Sequence, residues 1–340
     1  MSDTNQTAHL FAGRQTLILS MAEVKTLLTM TDCIELQRIA FADHARGTAF
    51  NAPSAWLRVN KHGGWLKLLA GFVDSTDAMG MKILARYPNN PPGMNLGSLI
   101  VLFDPHNGFP LAIFDAVYIT ALRTGAGAGV ATRSCARPDS RTVGVLGSGV
   151  LARFTVQAIQ AVLPGIERVV FYSRNAERRA AYIAQMHPLT GLPIDALATP
   201  EAVVQQADIL VTATNASQPV LFAEWVQPGT HINAVGIKHE IHPDVFRGAR
   251  VYGDARDVAL DDGKFGIACK AGVVSAADLA GEIGEVINGD KPGRTSPEEV
   301  TIFDSAGLAV QDMVCALHVY QQATQRQIGT FIDLGLADLP

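Results

Sequence analysis

Thr142-Val-Gly-Val-Leu-Gly147-Ser-Gly149-Val-Leu-Ala152 reads as a buried strand, a glycine turn and the start of an apolar helix. Gly147 suits a tight turn, Gly149 lets backbone approach a pyrophosphate, and Ala152 permits close helix–strand packing. The helix N-terminus offers unpaired N–H groups to phosphate. G-x-G-x-x-A alone is a weak signal. Here a second strand, 168–172, ends beside Ser173, which lies 173 − 147 = 26 residues after the first glycine. The stretch therefore predicts dinucleotide binding by Gly147, Ser148, Gly149, Val150 and Leu151, with a purely structural glycine turn as the competing reading. The second strand is followed by Ser173, Arg174 and Asn175, then Arg178 and Arg179. A carboxylate there would bind a ribose 2′-OH. Guanidiniums suit a 2′-phosphate instead, which favours NADP(H) over NAD(H). The alternative is a solvated helix face.

Outward from this loop, strands and helices alternate: helix 150–162, strand 168–172, helix 175–186, then strands 209–212, 231–235, 250–252 and 301–304. Alternation with short loops predicts an α/β fold, a Rossmann-type doubly wound domain with a parallel sheet covered on both faces. Before it, 17–46 reads as a short strand and a helix capped by Thr31-Asp32. Residues 50–118 read as strands and turns, with strands near 65–69, 80–84 and 99–103. The turn Asp104-Pro-His-Asn-Gly108 joins two apolar runs as a hairpin. A small-residue helix spans 121–136, and a last helix, about 307–324, returns to the N-terminal part. The expected division is a dinucleotide domain, 125–304, inserted into a mixed α/β domain of 1–124 plus 305–340.

Composition agrees with two domains at ~150 residues each. Of 340 residues, 48% are hydrophobic and 17% charged, against about 25% charged in an average soluble chain, and mean hydropathy is +0.17. That is enough to bury a large core, yet runs such as 98–103 are too short to cross a bilayer. The net charge, 27 − 32 = −5, disfavours nucleic acid and anionic lipid as partners. Cys33, Cys135, Cys269 and Cys315 form no CxxC, and His231, His239 and His242 form no ligand set, so no disulfide framework and no metal is expected. The first residues lack a basic-then-apolar leader, which leads to the expectation of a cytoplasmic protein.

The chain resembles the ornithine cyclodeaminase/μ-crystallin family of NAD(P)-dependent enzymes. The resemblance rests on Gly80-Met-Lys82, Thr120-Ala-Leu-Arg123-Thr124, the 147–152 loop, Gly284-Glu-Val-Ile-Asn-Gly289 and Phe303-Asp-Ser-Ala-Gly-Leu-Ala-Val-Gln-Asp312. The segment 223–236 is also typical, and together these cover about residues 20–325. The resemblance implies a Rossmann domain inserted into a substrate-binding and dimerisation domain, a homodimer, and hydride chemistry at the Cα of an amino or imino acid. It implies that Lys82 meets the substrate carboxylate and that Arg123 lies near both carboxylate and cofactor. By the same resemblance Asn95, Thr124, Ala213, Thr214, Val235 and Gly236 are expected along the cofactor, with a turn residue after Pro91-Pro92-Gly93 the competing reading for Asn95 and a local cap that for Thr124. Physical chemistry adds two reasons: a lysine in an apolar strand must find a partner or a cavity, and a guanidinium fork suits a carboxylate. Lys67 falls where relatives carry Arg, Glu or Gly; it is the third catalytic candidate, able to take a second acid group, or else a solvent-side strand residue.

Two departures matter. Relatives carry a carboxylate-binding basic residue shortly after the equivalent of Pro53, where this chain has Trp56, with Arg58 nearby. Cyclodeaminases place an aspartate two residues after Val-Gly, where this chain has Lys238; Glu240 or Asp244 would replace it only in a shifted loop. These departures favour an NAD(P)H-dependent reductase of small α-imino acids, reversible as an amino-acid dehydrogenase. The alternatives are an NAD-dependent ornithine or lysine cyclodeaminase releasing ammonia, and a non-catalytic, crystallin-like binding protein.

Overall fold

A computed structural model describes residues 15–91 and 93–334. In chain order it begins with β1 (Gln15–Leu19), α1 (Met21–Leu27), α2 (Met30–Arg46), β2 (Ala49–Asn51), β3 (Ala55–Val59), β4 (Gly64–Val73) and β5 (Ala78–Arg86). There follow β6 (Leu96–Phe103), β7 (Pro110–Asp115), α3 (Val117–Cys135), β8 (Thr142–Leu146), α4 (Val150–Val162), β9 (Arg168–Tyr172) and α5 (Ala176–Thr190). Then come β10 (Ile194–Ala196), α6 (Pro200–Gln206), β11 (Ile209–Thr212), β12 (His231–Ala234), β13 (Arg250–Gly253), α7 (Arg256–Asp261) and α8 (Lys264–Lys270). The last elements are β14 (Leu279–Glu282), α9 (Ile283–Ile287), β15 (Thr301–Asp304), α10 (Ala309–Arg326) and β16 (Thr330–Asp333).

The described chain forms two compact units, one of 15–29, 48–120 and 309–334, the other of 30–47 and 121–308. This division differs from the expected 1–124 plus 305–340 against 125–304. The largest difference is α2, which groups with the second unit. Its buried face carries Cys33, Ile34, Ala40 and Phe41. It meets α9 so closely that a Cβ on Gly284 would stand 2.0 Å from the Phe41 carbonyl oxygen, and Phe41 packs edge-on to Phe303, centroids 5.9 Å apart. The helix also starts at Met30, so Asp32 is not its cap; it sits in the first turn, where its charge favours the helix dipole.

In the first unit a mixed sheet runs β16-β1-β7-β6-β5-β4-β2, with β3 paired to β4. The 104–108 turn does join antiparallel strands, β6 and β7. The register sets Leu69, Lys82, Ile100 and Phe114 side by side across four strands. Side chains alternate across a sheet, so Gly71 and Gly80 share this face. There α10 lies so close that a Cβ on Gly71 would meet Ala309 Cβ at 3.0 Å, and one on Gly80 Met313 Sδ at 3.0 Å.

In the second unit eight strands, all parallel, run β10-β9-β8-β11-β12-β15-β13-β14. The order reverses between β8 and β11, the point where doubly wound sheets take their ligands. One apolar cluster joins the sheet to α4 and α5 through Val156, Ile159, Tyr182 and Met186. Another joins it to α6 and α8 through Val203, Val204 and Phe265. The glycines of α3 allow a close helix pair: a Cβ on Gly125 would stand 2.5 Å from Phe154 backbone, and one on Gly129 2.9 Å from Ala158 Cβ. Among the described residues no helix is long and apolar enough to cross a membrane.

Candidate active site

In the second unit the parallel strands bring their following loops to one edge of the sheet. Gly147 has φ +115°, and a Cβ there would stand 2.5 Å from the carbonyl oxygen of Ala213. The turn after β8 is thereby wedged against the loop after β11. Gly149 differs. It is the N-cap of α4, and a Cβ on it would meet no protein atom within 4 Å. Neither packing nor a positive φ requires glycine there, and the space beside it is open to the approach of a phosphate. Ala152 is fully buried, Leu151 packs on the core, and Val150 is 51% exposed. The loop fits the pyrophosphate of a dinucleotide.

Beside it, Ser148 Oγ donates to Ser173 Oγ at 2.9 Å. Asn175 caps α5, its Oδ1 accepting the Arg178 N–H at 2.8 Å. Arg179 Nη1 donates to the carbonyls of Ser173 (2.7 Å) and Arg174 (3.4 Å). One of the three arginines therefore holds the loop itself, while Arg174 and Arg178 are exposed.

The wall formed after β11 and β12 is held by a residue to which the sequence reading gave no such role. Glu240 is fully buried and accepts from Thr214 N–H (2.8 Å), Thr214 Oγ1 (2.7 Å) and Gly236 N–H (3.0 Å). Burial pushes its carboxyl up, opposed by the Lys264 charge and by its hydrogen bonds. A Cβ on Gly236 would stand 2.3 Å from a Glu240 oxygen, so a side chain there would have to displace this carboxylate. Thr214, Val235 and Gly236 are thus fixed together, with Ala213 beneath Gly147. The signal was a carboxylate four residues after a Val-Gly pair. Lys264, 4% exposed, donates to Asp304 (3.4 Å) and the Ser305 carbonyl (3.2 Å). Arg123 and Thr124 are both 7% exposed on α3.

The first unit holds Lys82, Lys67 and Asn95. Lys82 is 1% exposed, and its Nζ donates at 2.6 Å to Asp312 Oδ2 on α10, itself fully buried. Sequence reasoning demanded a partner for this lysine and quoted Asp312 within a motif without joining the two. Lys67 Nζ lies 4.7 Å from the centroid of Trp56, which is 5.0 Å from Trp65. Trp56 pairs with Lys67, and Arg58 with Trp65, so all share the face of Lys82. At about 3.4 Å per residue, Arg58 stands roughly 14 Å along the strand from the Lys82 rung and Lys67 roughly 7 Å, which makes Lys67 the nearer second cation. Asn95 precedes β6, and its carbonyl accepts the Tyr87 N–H at 3.0 Å.

The sequence profile of the ornithine cyclodeaminase/mu-crystallin family matches residues 14–327. The chain belongs to this family. An alanine dehydrogenase of Archaeoglobus fulgidus is 36% identical over 94% of this chain and 98% of its own. Among solved structures, a Thermococcus litoralis Delta(1)-pyrroline-2-carboxylate reductase in complex with NADH and L-proline matches with a TM-score of 0.89, at 31% identity, over 93% of this chain and 100% of its own. An archaeal alanine dehydrogenase dimer with bound NAD gives 0.88 at 34% identity, over 94% and 99%. Both solved relatives hold a nicotinamide cofactor, NADH in the reductase and NAD in the dehydrogenase. Lys238 is 47% exposed and ion-paired to Asp262, and Glu240, two residues on, is committed to backbone N–H groups.

Proposed function

We propose that the chain is an NAD(P)H-dependent reductase of α-imino acids that runs in reverse as an amino-acid dehydrogenase. The observation that carries this reading against cyclodeamination is the Lys238–Asp262 pair beside a fully engaged Glu240. The position that would supply a carboxylate to the amine or to water holds a cation instead. A preformed iminium already bears its proton, so its reduction asks little of general acid–base groups. When bound, the nicotinamide supplies the hydride. The chain's own residues orient the acceptor: Lys82 and Arg123 take the substrate carboxylate, and the Glu240 bonds hold Thr214 and Gly236 rigid. The hydride adds to Cα while the C=N π electrons pass to nitrogen, giving the amine. The test is NAD(P)H oxidation over Delta(1)-pyrroline-2-carboxylate and over pyruvate with ammonia or methylamine, which should proceed. Ammonia release from ornithine or lysine with no net NADH would instead establish the cyclodeaminase.

NADP(H) is the cofactor we favour, because Arg174 and Arg178 are exposed beyond β9 and the residues directly after the strand, Ser173 and Arg174, are not carboxylates. Arg174→Ala should raise the KM for NADPH roughly tenfold, the worth of one hydrogen bond to a charged group, and leave that for NADH within about twofold. Equal effects on both would assign the arginines to a solvated face.

A homodimer is also part of the proposal. The sheet face opposite α10 carries Leu68, Ile83, Val101, Ile113 and Leu99, the last 47% exposed, and apolar surface of this kind marks an interface. Light scattering should give twice the 36.2 kDa chain mass, and Leu99→Lys should release the monomer.

A further inference from the structure

Asp254, directly after β13, is a buried carboxyl that the proposed mechanism does not use. It is 2% exposed, and its Oδ2 accepts the N–H groups of Ala306 (2.6 Å) and Gly307 (2.5 Å). Its Oδ1 is buried with no hydrogen-bond partner among the described residues. Gly307 has φ +85°, and a Cβ on it would stand 3.0 Å from Arg123 Nη1. The two bonds to Asp254 thus hold this turn against the guanidinium. The charged groups facing Asp254 are Arg123 from α3, Asp304 from β15 and His44 from α2; His44 is itself joined to Glu282 at 3.1 Å. Burial is the largest influence and pushes the carboxyl up. The two amides and Arg123 pull it down, Asp304 pushes it up again, and the result is about 6.

We propose that Asp254 is a proton-coupled counter-charge of Arg123: an anion held by Arg123 is matched by a proton taken up on Asp254 Oδ1. The inference rests on the reading of Arg123 as an anion-binding arginine. An ionised Asp254 offsets the Arg123 charge and repels an arriving anion across a poorly screening interior. A proton on Oδ1, drawn from solvent, removes that repulsion and leaves both N–H bonds to Oδ2 in place. Only an O–H bond forms, and nothing is oxidised or reduced. Ionised and protonated forms lie close in energy near neutrality, so anion binding shifts the balance between them. The anion is either the substrate carboxylate or the cofactor pyrophosphate.

Calorimetry on the full chain, in two buffers of different ionisation enthalpy, separates these sources. NAD(P)H is titrated first, then pyrrole-2-carboxylate, a planar carboxylate with no reducible imine. Close to one proton should be taken up in one of the two steps, and the Kd of that step should rise about tenfold per pH unit between about pH 7 and 8.5. Asp254→Asn keeps a carbonyl oxygen for the two N–H groups; it should abolish the uptake and bind that anion about a hundredfold more tightly than wild type near pH 8. Anion binding without proton uptake in either step overturns the inference, as does uptake that survives in the variant. Should the variant not fold, the wild-type proton count and pH slope decide alone. Uptake in a protein that reduces no imine would leave the inference standing and remove the reductase reading. Turnover without uptake would do the reverse, and failure of both anions to bind would overturn both.

Discussion

Lys82→Met should lower kcat/KM for an imino acid by about three orders of magnitude while the Kd for NAD(P)H stays within about twofold, the loss expected when a buried charge-paired contact is removed. The asymmetry follows from location: Lys82 stands on β5 in the first unit, whereas the phosphate loop belongs to the second. A complication is that Asp312 would remain, fully buried, without its 2.6 Å cation. Removing one member of a buried ion pair destabilises by about 3–5 kcal/mol, so the single variant should also melt early. Lys82→Met with Asp312→Asn removes both charges of the pair and should recover most of the stability without recovering turnover. Full turnover in either variant would end the assignment of Lys82 to the substrate.

The second large effect separates two glycines of one loop. Gly147→Ala places a Cβ 2.5 Å from the Ala213 carbonyl at φ +115°. It should lose about 2 kcal/mol of stability, in line with a bulky residue forced into a strained backbone. Gly149→Ala meets no protein atom and should leave stability within about 0.5 kcal/mol, as surface substitutions do. Its cofactor Kd should nevertheless rise about a hundredfold, because the added methyl occupies the approach of the pyrophosphate. Thermal melts and NAD(P)H fluorescence titrations measure the two effects. A Gly149→Ala protein that binds cofactor normally would leave the loop as a folding device.

Most of the parallel sheet was legible because each strand is a short apolar run bounded by turn residues, and β8, β11 and β15 fall on the residues expected. The edges were not. β16 is exposed along its whole length and lacks the alternation that marks a half-buried strand; it is a strand because β1 pairs with it. The placement of α2 was hidden for a similar reason. An amphipathic pattern shows that a helix buries one face, and only Gly284 against the Phe41 carbonyl shows which neighbour receives it. At the site, Lys82, Arg123 and the glycine loop could be picked out, because charge in an apolar strand and glycine between strand and helix are local anomalies. Asp312, Glu240 and Asp254 could not, since a buried carboxylate is identified by partners brought to it from 230, 26 and 52 residues away.

The pairing of Gln15 with Asp333 has a consequence for how the molecule is made. The first sheet needs both its earliest strand and a strand more than three hundred residues later, and the lysine of β5 waits 230 residues for its aspartate. During synthesis the second unit, 30–47 and 121–308, can close its own parallel sheet while the first still lacks α10 and β16. Contacts of such sequence separation form late, and until they do the apolar face of β4 and β5 is uncovered. A nascent chain stalled near residue 308 should therefore present a folded dinucleotide unit beside a protease-sensitive, chaperone-binding partner, and release of the last segment should abolish that sensitivity in one step.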